Sequence, residues 1–466
     1  MKIALIPIDN RPICYDLISD IIAIDKNIEL FLPKIEDLGG LTTQSNIENL
    51  FNFIENLNEV DYLILSLDTI AYGGLVSSRR CNETFKEIKK RIEKLQNIAS
   101  KKAKKILAFS SIMRISNNNI NEEEKEYWKD YGKMIFDWSF NSHKAKIENQ
   151  KQPTHNSPKD ILEDYLETRK RNFQINKLYL NLAQEGFFDT LIFSKDDCAE
   201  FGLNVEEANF LEKEIQDKNI KNAKTKTGAD EIPLSLLSKA LTNQNSIKIK
   251  PVFLNDKSTN LISKYEDISI KNCVLGQLEL ANCLIDNQNF DLTMLVNNFE
   301  KEQGDLVLGS TINYIEKEII FPKKPYFICD VNNANGSDKK LIKQIFESNL
   351  ENLHSYCGYN TSANTIGCAI LIAIVKFLAQ KNKSYNDKAF KKVLFTRFLD
   401  DWAYQSISRK FIRESAPEFL KALKDKENEL LENGKIISNF LNYFPKTINF
   451  SLPWDRSFEI RIKIED

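Results

Sequence analysis

Thr190-Leu191-Ile192-Phe193-Ser194-Lys195-Asp196-Asp197 is the stretch from which the fold is read. Leu191, Ile192 and Phe193 form the short continuous apolar run of a strand buried on both faces, and the run ends in a lysine and two adjacent carboxylates. Beyond Phe201-Gly202-Leu203 a helix is expected. Asn204 caps it, Glu207 answers from the third helical position, and Ala208, Leu211 and Ile215 carry the apolar spacing. Strand, acidic loop and helix make the repeating unit of a parallel α/β fold, whose loops at the carboxyl edge of the sheet carry ligands and catalysis.

The same pattern recurs along most of the chain. Apolar runs at residues 3–8, 28–32, 62–67, 106–109, 191–193, 223–227, 247–254, 292–296, 326–329 and 354–357 each end in polar residues. About ten strands are too many for a simple eight-stranded ring. The shared polar edge favours a (β/α)8-like barrel with extra β/α units over residues 1–365, and the alternative is two doubly wound domains meeting near residue 240. A helical insertion is expected at about 122–184, with an acidic first turn, Trp128, Trp138 and a polar loop at 149–158. Its aromatics pack the helices or offer faces to sugars. Residues 366–466 read as a mainly helical C-terminal module whose last strand alternates Phe458, Ile460, Ile462 and Ile464 with charged residues.

Composition narrows the function. The 466 residues carry 64 Lys and Arg against 66 Asp and Glu, a net charge of −2, which gives no electrostatic reason for nucleic acid or an anionic membrane as partner. The apolar stretch at 369–378, interrupted by Lys376, is too short to cross a bilayer. Eight cysteines without a C-x-x-C pair predict free thiols and a cytoplasmic location. The dinucleotide, P-loop and nucleophile-elbow glycine patterns are absent. His143, His155 and His354 lack the spacing of a zinc site, so no metal or cofactor is expected.

The polar strand ends are the candidate site. Asp9, Asp68, Asp230 and Glu231 suit sugar hydroxyls, and Asn332, Asn335, Asn360 and Asn364 offer both donor and acceptor. Arg11, Arg79 and Arg114 fork onto a ligand anion or serve as counter-ions of buried carboxylates such as Asp9 and Asp68. Lys195 precedes the Asp pair, and Tyr72-Gly73-Gly74 gives backbone access to a ligand or simply a tight turn.

Pro7-Ile8-Asp9-Asn10-Arg11-Pro12, Ser66-Leu67-Asp68, Ala71-Tyr72-Gly73-Gly74, Met113-Arg114-Ile115-Ser116, Lys195-Asp196-Asp197, Gly228-Ala229-Asp230-Glu231, Asn333-Ala334-Asn335-Gly336 and Asn360-Thr361-Ser362-Ala363-Asn364-Thr365 occur in an order that resembles the bacterial family catalogued as domain of unknown function 4127. That resemblance covers nearly the whole chain, with Cys14 where members usually carry Asn. The adjacent aspartates are similar to the catalytic pair of the O-GlcNAc hydrolase family, a (β/α)8 glycosidase group. This second resemblance implies that Asp196 orients an acetamide group which attacks the anomeric carbon, and that Asp197 is the general acid.

The expectation is therefore a glycoside hydrolase with a small carbohydrate substrate bearing an N-acetylated amino sugar. Two alternatives stand beside it. One is a Mg²⁺- or Mn²⁺-dependent enzyme on a phosphorylated or carboxylated metabolite, with Asp9, Asp68, Asp196, Asp197, Asp230 and Glu231 converging on the ion. The other is a non-catalytic sugar-binding protein.

Overall fold

The computed structural model describes residues 1–196, 198–243, 246–310, 318–349 and 351–465. Every one of the apolar runs becomes a strand, but the strands assemble into two parallel sheets rather than one ring. The chain divides with them into two compact units. The first comprises Met1–Asn10, Glu29–Pro233 and Tyr265–Asp267; the second comprises Arg11–Ile28, Leu234–Lys264 and Ile268–Asp466. This division falls close to residue 240, as in the two-domain alternative, and not at residue 365.

The first unit holds β1 (Lys2–Ile6), β2 (Glu29–Phe31), β3 (Val60–Ser66), β4 (Ala103–Ile112), β5 (Thr190–Lys195) and β6 (Ala223–Thr227). All pairs are parallel, in the order β2-β1-β3-β4-β5-β6. Ile3, Ala4, Leu5 and Ile6 and the equivalent residues of β3 and β5 are buried, as strands covered on both faces require. The barrel expectation fails at the start of this order. After β2 the chain returns to the other side of β1, which leaves β2 and β6 as open edges and puts the reversal of strand order, where open parallel sheets take ligands, at β1 and β3. Exposed Lys224 and half-buried Thr225 and Lys226 suit β6 to an edge.

The insertion between β4 and β5 forms the helices Trp128–Ile147 and Lys159–Gln184. Trp128 and Tyr165 pack with ring centroids 5.6 Å apart, in a cluster with Met113, Ile115, Ile135 and Leu162, and Trp138 lies against it. These aromatics pack the insertion onto the unit. The helix after β5 runs Leu203–Asp217, and its cap is Gly202 at φ 155°, not Asn204. The inserted helix supplies the missing acceptors: His143 Nδ1 accepts the Gly202 N–H at 3.1 Å and Ser139 Oγ the Leu203 N–H at 2.9 Å.

The second unit holds β7 (Lys248–Phe253), β8 (Leu284–Ile285), β9 (Leu292–Asn297), β10 (Gly304–Asp305), β11 (Tyr326–Asp330), β12 (Asn333–Ala334) and β13 (Leu353–Cys357). Its main sheet has the order β13-β11-β9-β7-β8, again parallel and again reversing beside its first strand, while β10 pairs with β12. The helix Ser362–Lys381 is longer than the apolar stretch suggested and passes the length and hydropathy of a membrane span, but it is almost wholly buried as a core helix of this unit. The helices Asp387–Arg397 and Phe419–Leu441 follow, and β14 (Thr447–Ser451) pairs antiparallel with β15 (Arg461–Glu465), the expected terminal strand. All eight cysteines are free and buried.

Candidate functional site

In the first unit, the reversal of strand order brings the loop after β1 beside the helix Leu67–Tyr72, which starts directly at the end of β3. Thr69 Oγ1 fixes the approach by donating to the carbonyls of Pro7 at 2.7 Å and Ile8 at 2.8 Å. Asp9 and Asp68 are both buried on these segments. Asp68 Oδ2 accepts the Ser111 N–H at 2.8 Å, yet burial outweighs that bond and the field of Arg79, and pushes its carboxyl up to about 7. Asp68 is thus an acid that holds its proton near neutrality. Ser111 continues the path, since its hydroxyl lies 3.2 Å from that of Ser194 on β5, two residues before Asp196.

The arginines are already engaged. Arg79 pairs with Glu124 at 2.8 Å; Arg114 donates to Glu123 at 2.8 Å, to Glu124 at 3.2 Å and to Asp196 at 3.4 Å; and Ser116 Oγ donates to Glu124 at 3.2 Å. They are counter-ions, Arg79 of Glu124 and Arg114 of Glu123, Glu124 and Asp196. The acidic run that contains these glutamates is a turn ahead of the helix at Trp128, not the first turn of that helix. Lys195 forms an ion pair with Asp267, which also accepts the Thr227 hydroxyl at 2.5 Å. Arg79 Nη2 alone of these donors is buried without an acceptor among the described residues. Asp197 lies outside the described residues.

Tyr72 is in the interior, with the Arg171 guanidinium 5.4 Å from its ring centroid, and Gly73 ends the Leu67–Tyr72 helix at φ 83°, so this segment is a tight turn. Asp230 and Glu231 are buried at the end of β6. Glu231 Oε2 accepts the Ala229 N–H at 3.0 Å, and burial, with the nearby charges of Glu266 and Asp230, pushes Glu231 up to about 8. The backbone of Gly228 lies against this carboxylate at φ 108°, a position with no room for a Cβ. Glu207, expected in the cap of its helix, instead pairs with Arg169 at 2.8 Å.

The remaining candidates belong to the second unit. The Arg11 guanidinium stacks 5.2 Å from the Trp454 ring centroid. Asn332 Nδ2 donates to Asp338 at 3.1 Å, Asn335 Nδ2 to Asp305 at 3.3 Å, and the Asn360 carbonyl accepts the Asn335 N–H at 2.8 Å. Asn335 and Asn360 have φ of 62° and 51°, the turn geometry that Asn tolerates. Asn364 sits in the first turn of Ser362–Lys381, and its Oδ1 is buried without a donor among the described residues.

Sequence reading missed the acids behind these asparagines. Asp330, at the end of β11, accepts from Tyr356 at 3.0 Å, Asn297 at 2.9 Å and the Asp338 N–H at 2.7 Å. Burial raises both Asp330 and Asp338. Asp401 is raised too, to about 8 by burial, despite its 3.0 Å contact with Arg397 and the Gly358 N–H it accepts at 2.8 Å. Among the described residues, no three His, Cys, Asp or Glu side chains gather as a metal's donor set would.

A family model described as "Protein of unknown function (DUF4127)" matches residues 3–463, nearly the whole chain, and the chain belongs to that family. No curated protein matches it. No solved structure matches it either.

Proposed function

We propose that this member of the DUF4127 family is a hydrolase whose site is the carboxyl edge of the first unit's sheet, and that its substrate is an uncharged glycoside of an N-acetylated amino sugar. The observation that carries the reading is how charge is disposed there. Arg79, Arg114 and Lys195 are each matched by carboxylates, so the edge has little cationic field left for a phosphate or carboxylate ligand, while Asp68 keeps a proton near neutrality. Such a site favours a neutral, hydroxyl-rich substrate and acid catalysis.

In this reading Asp68 donates a proton to the leaving oxygen, and Asp196, held by Arg114, orients the acetamide whose oxygen attacks the anomeric carbon. Asp197 has the proton-donor role in the glycosidase resemblance; here that role passes to Asp68. Asp9 and the unsatisfied Nη2 of Arg79 supply an acceptor and a donor for sugar hydroxyls.

The test is turnover of a panel of 4-nitrophenyl hexosaminides and hexosides, with and without EDTA. Release of nitrophenol from an N-acetylhexosaminide that EDTA leaves unchanged supports the proposal. Turnover abolished by EDTA transfers the carboxylates to a metal-dependent reaction, and no turnover of any glycoside removes the glycosidase reading.

A further inference from the structure

In the second unit the strand order reverses between β7 and β9, and open parallel sheets bind ligands in the crevice at such a reversal, outside the carboxyl ends of the strands. A cavity of about 270 Å³ lies at this place. Val252 comes to it from β7 and Leu254 from just beyond that strand, Leu295 and Asn297 from β9, and Asn332, Asp338 and Leu341 from the segment after β11. Topology and cavity are independent observations, and they select the same spot.

The polar floor defines the ligand's head. Asp338 is saturated, with Oδ1 accepting the N–H groups of Lys340 at 2.9 Å and Leu341 at 3.3 Å, and Oδ2 accepting the amides of Asn332 at 3.1 Å and Asn297 at 3.3 Å. Because both asparagines point Nδ2 at carboxylates, their Oδ1 atoms are the acceptors that remain, and neither has a donor among the described residues. Asp330 lies directly behind, 2.9 Å from Asn297 Nδ2. Two amide oxygens lining the cavity accept hydrogen bonds and cannot donate them, so they suit a head that carries donors, such as an ammonium, and give a carboxylate nothing to bind. The rim adds charges of both signs, Glu318 and Lys340, and the walls are aliphatic.

We propose that this cavity is a binding site for a small primary amine carried on an apolar body, with the ammonium donating to Asn297 Oδ1 and Asn332 Oδ1 and the body between Val252, Leu254, Leu295 and Leu341. The site is independent of the reaction assigned to the first unit. Its size, at the small end of ligand pockets, matches a single ring with a short side chain.

The test is ligand-observed NMR titration of the full chain with 2-phenylethylamine and with phenylacetate, which share a body and differ in the head. The amine is expected to bind saturably and at least about tenfold tighter than the acid, a difference of about 1.4 kcal/mol. Leu295→Trp, which fills the cavity, abolishes binding, and Asn332→Leu, which removes one acceptor, weakens the amine while leaving its apolar contacts. A thermal unfolding transition near that of the wild type confirms that each variant is folded. Equal affinity for the two heads, no saturable binding of either, or undiminished binding in folded Leu295→Trp overturns the assignment.

Discussion

Asp68 Oδ2 accepts the Ser111 N–H at 2.8 Å, a bond that ties a carboxyl at the end of β3 to the adjoining end of β4. One such bond does not compensate the water this group loses on burial, so the acid is weakened to about 7. The carboxyl is therefore held in place and shares its time between acid and carboxylate near neutral pH.

Stability follows from the same burial. Asp68 and Glu231, raised to about 7 and about 8, bind protons more tightly in the folded state than in the unfolded chain. Their contribution is complete below about 4, the unfolded carboxyl value, and is lost as pH rises through 7 to 8. Denaturant unfolding at pH 5 and pH 8 is expected to show a loss of stability on going to the higher pH that Glu231→Gln diminishes. An identical loss in wild type and variant would count against a buried, protonated Glu231.

Arg79 and Glu124 form a buried pair, and without Arg79 the Glu124 carboxylate keeps only the longer contacts with Arg114 and Ser116. Arg79→Met is expected to destabilise by less than the roughly 3–5 kcal/mol of a fully stranded buried charge, and adding Glu124→Gln to recover part of the loss, because the undercompensated charge is then gone. Additive losses in the two single variants and the double would show that the pair is not coupled.

How far the sequence disclosed this arrangement depends on the range of the interaction. Leu191-Ile192-Phe193 and its counterparts announce buried strands because burial on both faces leaves a continuous apolar run. The order of the strands leaves no such trace: nothing in the apolar pattern records that β3 passes β2 and pairs with β1, and that single crossing separates two open sheets from a barrel. Asp68, Arg79, Arg114 and Asp196 were visible as polar strand ends. Glu124 was not, since its partners Arg79 and Arg114 lie 45 and 10 residues away in sequence and its run resembles a helix start. The Leu203–Asp217 helix was predicted with a local cap at Asn204, whereas its acceptors come from Ser139 and His143, some 60 residues earlier.

Gly228 supports the Glu231 carboxylate with backbone that an L-residue rarely adopts. Gly228→Ala adds both a strained φ and a collision with that carboxylate, with an expected cost of about 1–3 kcal/mol. Thermal unfolding of the variant measures it, and an unchanged midpoint would mean the loop accommodates a side chain.

The thiols offer a simple check of burial. Ellman's reagent is expected to find almost no reactive thiol in the native protein and eight after denaturation without reductant. Fewer than eight would reveal disulfides.

The central claim is that Asp68 is the proton donor, and leaving-group dependence tests it most directly. With an N-acetylhexosaminide of a poorly acidic alcohol, Asp68→Asn is expected to lower kcat/KM by roughly 10²–10⁴, and with an activated aryl glycoside by far less, because little protonation is then needed. Asp196→Asn, which weakens the attack itself, lowers both substrates alike, and the wild-type rate falls above about pH 7 as Asp68 ionises. Equal losses on the two substrates in Asp68→Asn, or the leaving-group dependence appearing in Asp197→Asn instead, would contradict the account.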